Sequence, residues 1–235
     1  MPSPRVRVRV AGPLACFSRP EMKVERVSYE VMTPSAARGI LDAVVWRPEM
    51  RWVVHRVEVL RPIRFTSFRR NELQSKVGPA SIRRWMQDAT TYAPQPAGAG
   101  SDDATPRNTL ALRNVAYVIE AEPLVYTPTA ENTPQKYAAM LERRVARGQH
   151  FHAPSLGCRE FACAVSTPDP AELPVDDSRD LGLMLYDVIF RDRGRANRAA
   201  FFDARLDAGV LHTDPSTALA DPALRTEVLA CSSTR

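Results

Sequence analysis

The stretch "RVRVRVAG", residues 5–12, alternates without a break. Val6, Val8 and Val10 fall on one side of an extended chain and Arg5, Arg7 and Arg9 on the other, because successive side chains of a strand point to opposite faces. The segment therefore reads as a strand with one buried face. Its outward arginines form either a solvated face or a phosphate-facing one. After a polar segment containing Pro20, "MTPSAARGIL", residues 32–41, opens a helix predicted over 34–45. Thr33 is a good N-cap and Pro34 suits the first helical position. Ala36, Ala37 and Gly39 give this helix a slim face, which calls for a bulky neighbour: a sheet, another backbone or a ligand. Pro48 follows its end, and "RWVVHRVEVL", 51–60, reads as a second strand closed by Pro62.

Residues 66–109 differ in character and read as an insertion with a basic base and a mobile tip. They carry "RRNELQSK", "SIRRWMQ" and the Pro/Gly/Ala-rich "APQPAGAGSDDATPRN". Beyond them, "LRNVAYVIEAEPLVY", 112–126, is a strand. "TPQKYAAMLERRVARGQ", 133–149, is a helix capped by Thr133, started by Pro134 and ended by Gly148. Tyr137, Met140, Leu141 and Val145 form its apolar stripe. "LGCREFACAV", 156–165, reads as the next strand, entered through a glycine turn. The order β-α-β, insertion, β-α-β predicts an α+β fold: a ferredoxin-like domain over 1–165, the architecture also of RNA-recognition domains. Residues 166–180 read as a connector, 181–190 as a strand, and "RANRAAFFDARLDAGVL" as a short helix or hairpin. Together with the tail they make residues 166–235 a small C-terminal β-rich domain.

A chain of 235 residues can bury a sizeable core, and 44% apolar with 25% charged residues is a globular composition. The net charge of +5 and pI near 9.3 make an anionic partner plausible. Lysine stands only at Lys23, Lys76 and Lys136; every other basic residue is arginine, which suits phosphate and base contacts or simply reflects a GC-rich genome. Cys16, Cys158, Cys163 and Cys231 form no CxxC pair, so neither a zinc site nor a disulfide framework is expected. No metal and no cofactor is predicted. Without a signal-like apolar start or a run of 18 apolar residues, the expectation is a cytoplasmic protein with no membrane partner.

"ACFSRPEMKVERVSYEVMTPSAARGIL", with "WRPEMRW", "RPIRF", "RRNE" and "LGCREF", resembles the type I-C (Dvulg subtype) CRISPR-associated Cas5d family of the RAMP superfamily. The resemblance covers roughly residues 5–190; the loop at 78–108 and the chain after 195 match weakly. It implies a ferredoxin-like domain, an inserted basic arm and a small β-rich domain. It also implies a protein that binds the repeat hairpin of precursor CRISPR RNA and cuts at the stem base. The cut would be metal-independent, by attack of a ribose 2′-hydroxyl that leaves a 2′,3′-cyclic phosphate. The subunit would then stay on the 5′ handle beside the other type I-C Cascade subunits.

Such a cut needs a base, an acid and a cation for the extra phosphate charge. The resemblance implies a tyrosine before a Trp-Lys-Pro and an adjacent lysine and histidine on the second helix. Here Val45 precedes Trp46, Lys136 matches the lysine, and Tyr137 holds the histidine position. Lys136 and Tyr137 are thus the catalytic candidates, with His150, His152 and Tyr29 as substitutes. Tyr137 is equally the first residue of an apolar stripe, and a phenol near pKa 10 is a poor base at neutral pH. The expected RNA-binding cations are Lys23, Arg26, Arg38, Arg69, Arg70, Lys76, Arg83, Arg84 and Arg159, with Trp85 or Tyr92 available to stack on a base. Two other readings stand beside cleavage: a non-catalytic subunit capping the 5′ handle, and general duplex binding that includes double-stranded DNA.

Overall fold

The computed structural model describes residues 3–22, 24–94, 96, 98, 100–190 and 197–230. Strand β1, Val6–Ala15, buries Val6, Val8 and Val10 as the alternation predicts. It pairs antiparallel with the spine of the molecule, a 22-residue strand Ala104–Val125 that we label β5. Between them come β2, Arg26–Val27; helix α1, Pro34–Val44; β3, Met50–Val59; β4, Phe65–Leu73; and helix α2, Pro79–Gln87. Helix α3, Pro134–Ala146, and strand β6, Ala164–Ser166, follow β5. The C-terminal part holds β7, Arg179–Ile189; β8, Arg198–Asp207; β9, Val210–His212; and helices α4, Pro215–Ala218, and α5, Pro222–Leu229.

The sheet runs β6-β1-β5-β3-β9-β8-β7, antiparallel along this path. The outer half of β5 carries β4 antiparallel and the short β2 parallel. The C-terminal strands are therefore joined to the N-terminal ones by β3–β9 hydrogen bonds. Val57 with Leu211 in that register, and Met184 with Tyr186 on β7, all belong to one hydrophobic core. On β7, Asp180 and Asp187 side chains accept from the Gly182 and Val188 amides, and the Tyr29 hydroxyl from that of Leu185. Amides that would otherwise be unpaired strand donors are satisfied there by side chains.

Three expectations are corrected. The strand expected over 112–126 starts at Ala104, inside the segment read as a flexible loop. The insertion is thus a two-stranded ribbon, β4 with β5, carrying α2 near its tip. Along β4 exposed positions alternate with half-buried ones and none is buried, so the ribbon leaves only a weak apolar alternation to read. Second, "LGCREFACAV" is strand only from Ala164. Leu156 and Phe161 enter the core from a tight loop closed by the Leu156 amide on the Phe161 carbonyl, 2.8 Å, and buried apolar residues in a loop mimic a strand. Third, the ambiguous segment after 195 resolves as the β8–β9 hairpin, turned at Ala208 and Gly209, both at positive φ.

The outward arginines of β1 are committed within the chain. Arg5 binds Glu120 at 2.8 Å, Arg7 binds Glu58 at 2.7 Å, and Arg9 pairs with Glu172. Arg56 bridges Glu58 and Glu120, completing an ion-pair lattice across β1, β3 and β5. Arg5 and Arg7 are exposed, in keeping with a solvated face, and each of the three arginines also faces a carboxylate.

Candidate nucleic-acid interface

Thr33 caps α1 by accepting from the Ala36 amide at 3.2 Å, and Pro34, Ala37, Ile40, Leu41 and Val44 bury its core stripe. The slim face is split between two surroundings. Ala37 packs inward, while Ala36, Gly39 and Ala43 line an open groove of about 440 Å³. Thr33, Ser35, Cys16, Ser18, Ser155 and Gly157 also line it, with Phe17 and Leu185 adding apolar surface, so hydroxyls and small residues make most of the walls. A Cβ on Gly39 would meet nothing within 4 Å. Gly157 is the opposite case: φ is +87°, and a Cβ there would stand 2.0 Å from the Cys16 carbonyl oxygen. Only glycine lets this loop press against the end of β1.

The nine expected RNA-binding cations divide by their partners. Lys23 lies outside the described residues. Arg38 is nearly buried and paired with Asp42 at 2.8 Å and Asp187 at 2.9 Å; Arg51 also binds Asp187. Its position in sequence suggested a surface cation, but on the folded helix it faces β3 and β7. Arg26 contacts Glu160 at 3.1 Å and Glu72 at 3.4 Å, and Arg70 shares Glu160. By contrast, Arg69, Lys76, Arg83, Arg84 and Arg159 are exposed and have no ion-pair partner among the described residues. Four of these five belong to the arm. Helix α2 buries none of its residues, and Trp85 meets Tyr92 edge to face at 5.2 Å. Lys76, Ser81, Trp85, Pro94 and Pro96 line a second open cavity of about 410 Å³.

The expected catalytic pair is separated by burial. Lys136 is exposed in the first turn of α3, its Nζ 3.4 Å from Asn132 Oδ1 and 5.6 Å from the Tyr137 ring centroid. Tyr137 is 1% exposed and donates its hydroxyl to Glu49 Oε1 at 2.6 Å and Asn132 Oδ1 at 3.0 Å. Desolvation and the Glu49 carboxylate push the phenol up to about 12. Tyr137 is thus a core residue whose hydroxyl proton is held by Glu49. Val45, at the C-cap of α1, is buried and accepts the Trp52 indole N–H at 2.8 Å. Tyr29 is buried as well, with Arg19 4.5 Å over its ring. His150 and His152 are exposed, and the Phe151 and His152 amides both donate to the Ala43 carbonyl at the end of α1. Sequence reasoning missed Glu49 and Glu160, which take their roles through contacts across the fold, and Asn132, which meets Lys136 and Tyr137 from just before α3.

Fold and site define a mixed α/β protein with one long antiparallel spine and a projecting arm whose exposed cations have no ion-pair partner among the described residues. A family model for a CRISPR-associated protein of the Cas5d group matches residues 6–214. A CRISPR pre-crRNA endoribonuclease Cas5d from Mannheimia succiniciproducens is 43% identical over 225 residues, covering 90% of this chain and 95% of that protein. One of the same name from Thermus thermophilus is 43% identical over 193 residues, covering 81% and 76%. The chain belongs to the CRISPR-associated Cas5d family. Two solved structures share the fold. A functionally uncharacterized protein, SMU1763c, from Streptococcus mutans superposes with TM-score 0.62 at 19% identity, over 92% of this chain and 96% of its own. A crystal structure of a CRISPR-associated protein gives 0.61 at 22%, over 89% and 91%.

Proposed function

We propose that this protein is the RNA-processing subunit of a type I-C Cascade complex. It binds the repeat hairpin of precursor CRISPR RNA, cuts it without metal at the stem base, and remains on the 5′ handle beside the other subunits. The observation that carries the reading is the 43% identity to two proteins named pre-crRNA endoribonucleases, joined to an arm of exposed cations. The order β6-β1-β5-β3 with α1 and α3 as connections supports a ferredoxin-like unit at the centre. Arg69, Lys76, Arg83 and Arg84 contact phosphates, Arg159 does so beside the small-residue groove, and Trp85 or Tyr92 stacks on an unpaired base. Lys136 supplies the positive charge for the pentacoordinate phosphate. With Tyr137 buried, proton transfer falls to an exposed group, His150 or His152.

Incubating the protein with its host's repeat RNA in EDTA tests this. One discrete product ending in a 2′,3′-cyclic phosphate is expected, with Lys136→Ala slower by about 10²-fold or more. No product at all, with hairpin binding intact, selects the second reading, a guide-capping subunit. The buried Val45 and Tyr137 at two of the three expected catalytic positions favour that alternative. Equal affinity for random duplex DNA and the repeat hairpin would point to general duplex binding.

A further inference from the structure

Cys16 and Cys158 stand 142 positions apart in sequence, yet the fold brings them together. Cys16 ends the run of β1, and its amide donates to the Leu156 carbonyl at 3.0 Å. Gly157 presses on the Cys16 carbonyl, which the Cys158 thiol then approaches at 3.9 Å. Arg26 Nη1 lies 3.7 Å from the Cys158 sulfur. Cys16 Sγ also lies 3.4 Å from the Ser18 hydroxyl. Interaction with Cys158 lowers the Cys16 thiol to about 6, with Ser18 and Arg26 acting in the same direction, while Cys16 and burial push the Cys158 thiol up, so the pair gives up its first proton from Cys16. Access is unequal: Cys16 is 1% exposed, whereas Cys158 is half-buried and open to a small reagent. That is the arrangement of an accessible thiol with a resolving partner behind it.

We propose that Cys16 and Cys158 form a reversible disulfide that staples the loop around Gly157 to the end of β1. A small-molecule disulfide of the glutathione type is the oxidant. The Cys158 thiol passes its proton to the Cys16 thiolate as its own sulfur attacks one sulfur of the reagent and releases one thiolate, giving a mixed disulfide on Cys158. The Cys16 sulfur, having lost its proton, attacks the Cys158 sulfur and releases the second thiolate. The protein pair loses two electrons and two protons, and the small disulfide becomes two thiols. Cys16 and Gly157 both line the groove beside α1, so the staple fixes one wall of that groove against its floor.

The test is peptide mapping of the full-length protein after equilibration with oxidised glutathione, blocking free thiols before digestion. The expected product is a Cys16–Cys158 crosslinked peptide two mass units lighter than its thiol form, with Cys163 and Cys231 alkylated. Dithiothreitol should restore both thiols, and the oxidised protein should melt at a higher temperature than the reduced one. In Cys163→Ser/Cys231→Ser protein the crosslink should persist; in Cys158→Ser protein Cys16 should stay unmodified. Full alkylation of Cys16 and Cys158 after equilibration overturns the proposal. So does glutathione held on Cys158 without resolution, or a crosslink to Cys163 or Cys231 instead.

Discussion

At the scale of single residues, burial decides what chemistry a side chain can offer. Tyr137 and Lys136 are neighbours in sequence, yet one is sealed and the other faces water. The bond from the Tyr137 hydroxyl holds the Glu49 carboxyl below the usual range for a glutamate. A depressed carboxylate stabilises the fold above its unfolded pKa, and that contribution is lost as pH falls through the folded value. Tyr137→Phe should therefore cost about 1 kcal/mol near neutrality. The gap in melting temperature between wild type and variant should close in acid. RNA cleavage should be unchanged in that variant, since a buried hydroxyl cannot reach the scissile ribose. Gly157 is the second residue-scale case. Gly157→Ala meets both a left-handed φ and the Cys16 carbonyl, so a loss well above the usual 1–2 kcal/mol for that backbone region is expected in chemical denaturation.

At the scale of elements, the informative contrast lies between α1 and α2. Helix α1 is held by the Thr33 cap, a buried stripe and the Arg38–Asp187 pair; α2 buries none of its side chains. Replacing Arg83 and Arg84 with alanine should leave the melting temperature within about 1 °C. The same change should flatten the salt dependence of RNA binding by about two units of slope in log Kd against log salt. Asp187→Asn should do the reverse. It strips a carboxylate from Arg38 and Arg51 in the interior, with an expected loss of about 3–5 kcal/mol, measured by denaturant titration. The α3 cap belongs to the same scale: Thr133→Ala removes the acceptor for the Lys136 amide, costs about 1 kcal/mol, and loosens the turn that presents Lys136.

For the whole molecule, β5 integrates the fold, because one strand of 22 residues meets β1, β2, β3 and β4 along its length. Its inner half was legible: "VAYVI" is a buried run between turn signals. Its outer half, "ATPRNTLA", was not, since the positions it turns inward are Ala and Thr rather than large apolar residues and so carry no clear hydrophobic period. Helices α1 and α3 were legible because Thr-Pro starts and apolar stripes are local signals. The candidate interface was half legible. Arm cations at Arg69, Lys76, Arg83 and Arg84 are exposed and have no ion-pair partner among the described residues. Arg26, Arg38 and Arg70 found acids more than thirty residues away along the chain, or on another element, and no local pattern reports such a partner.

The sequence by itself determined the local elements, the apolar faces they bury and the family to which the chain belongs, because periodicity, capping and long ungapped motifs are written in neighbouring residues. Only the tertiary structure decided which arginines are free, which tyrosines are sealed, and that Cys16 meets Cys158. The physical reason is that a charge, a phenol or a thiol acquires its properties from what stands within a few ångströms of it. In a sheet closed by strands far apart along the chain, those neighbours come from distant sequence.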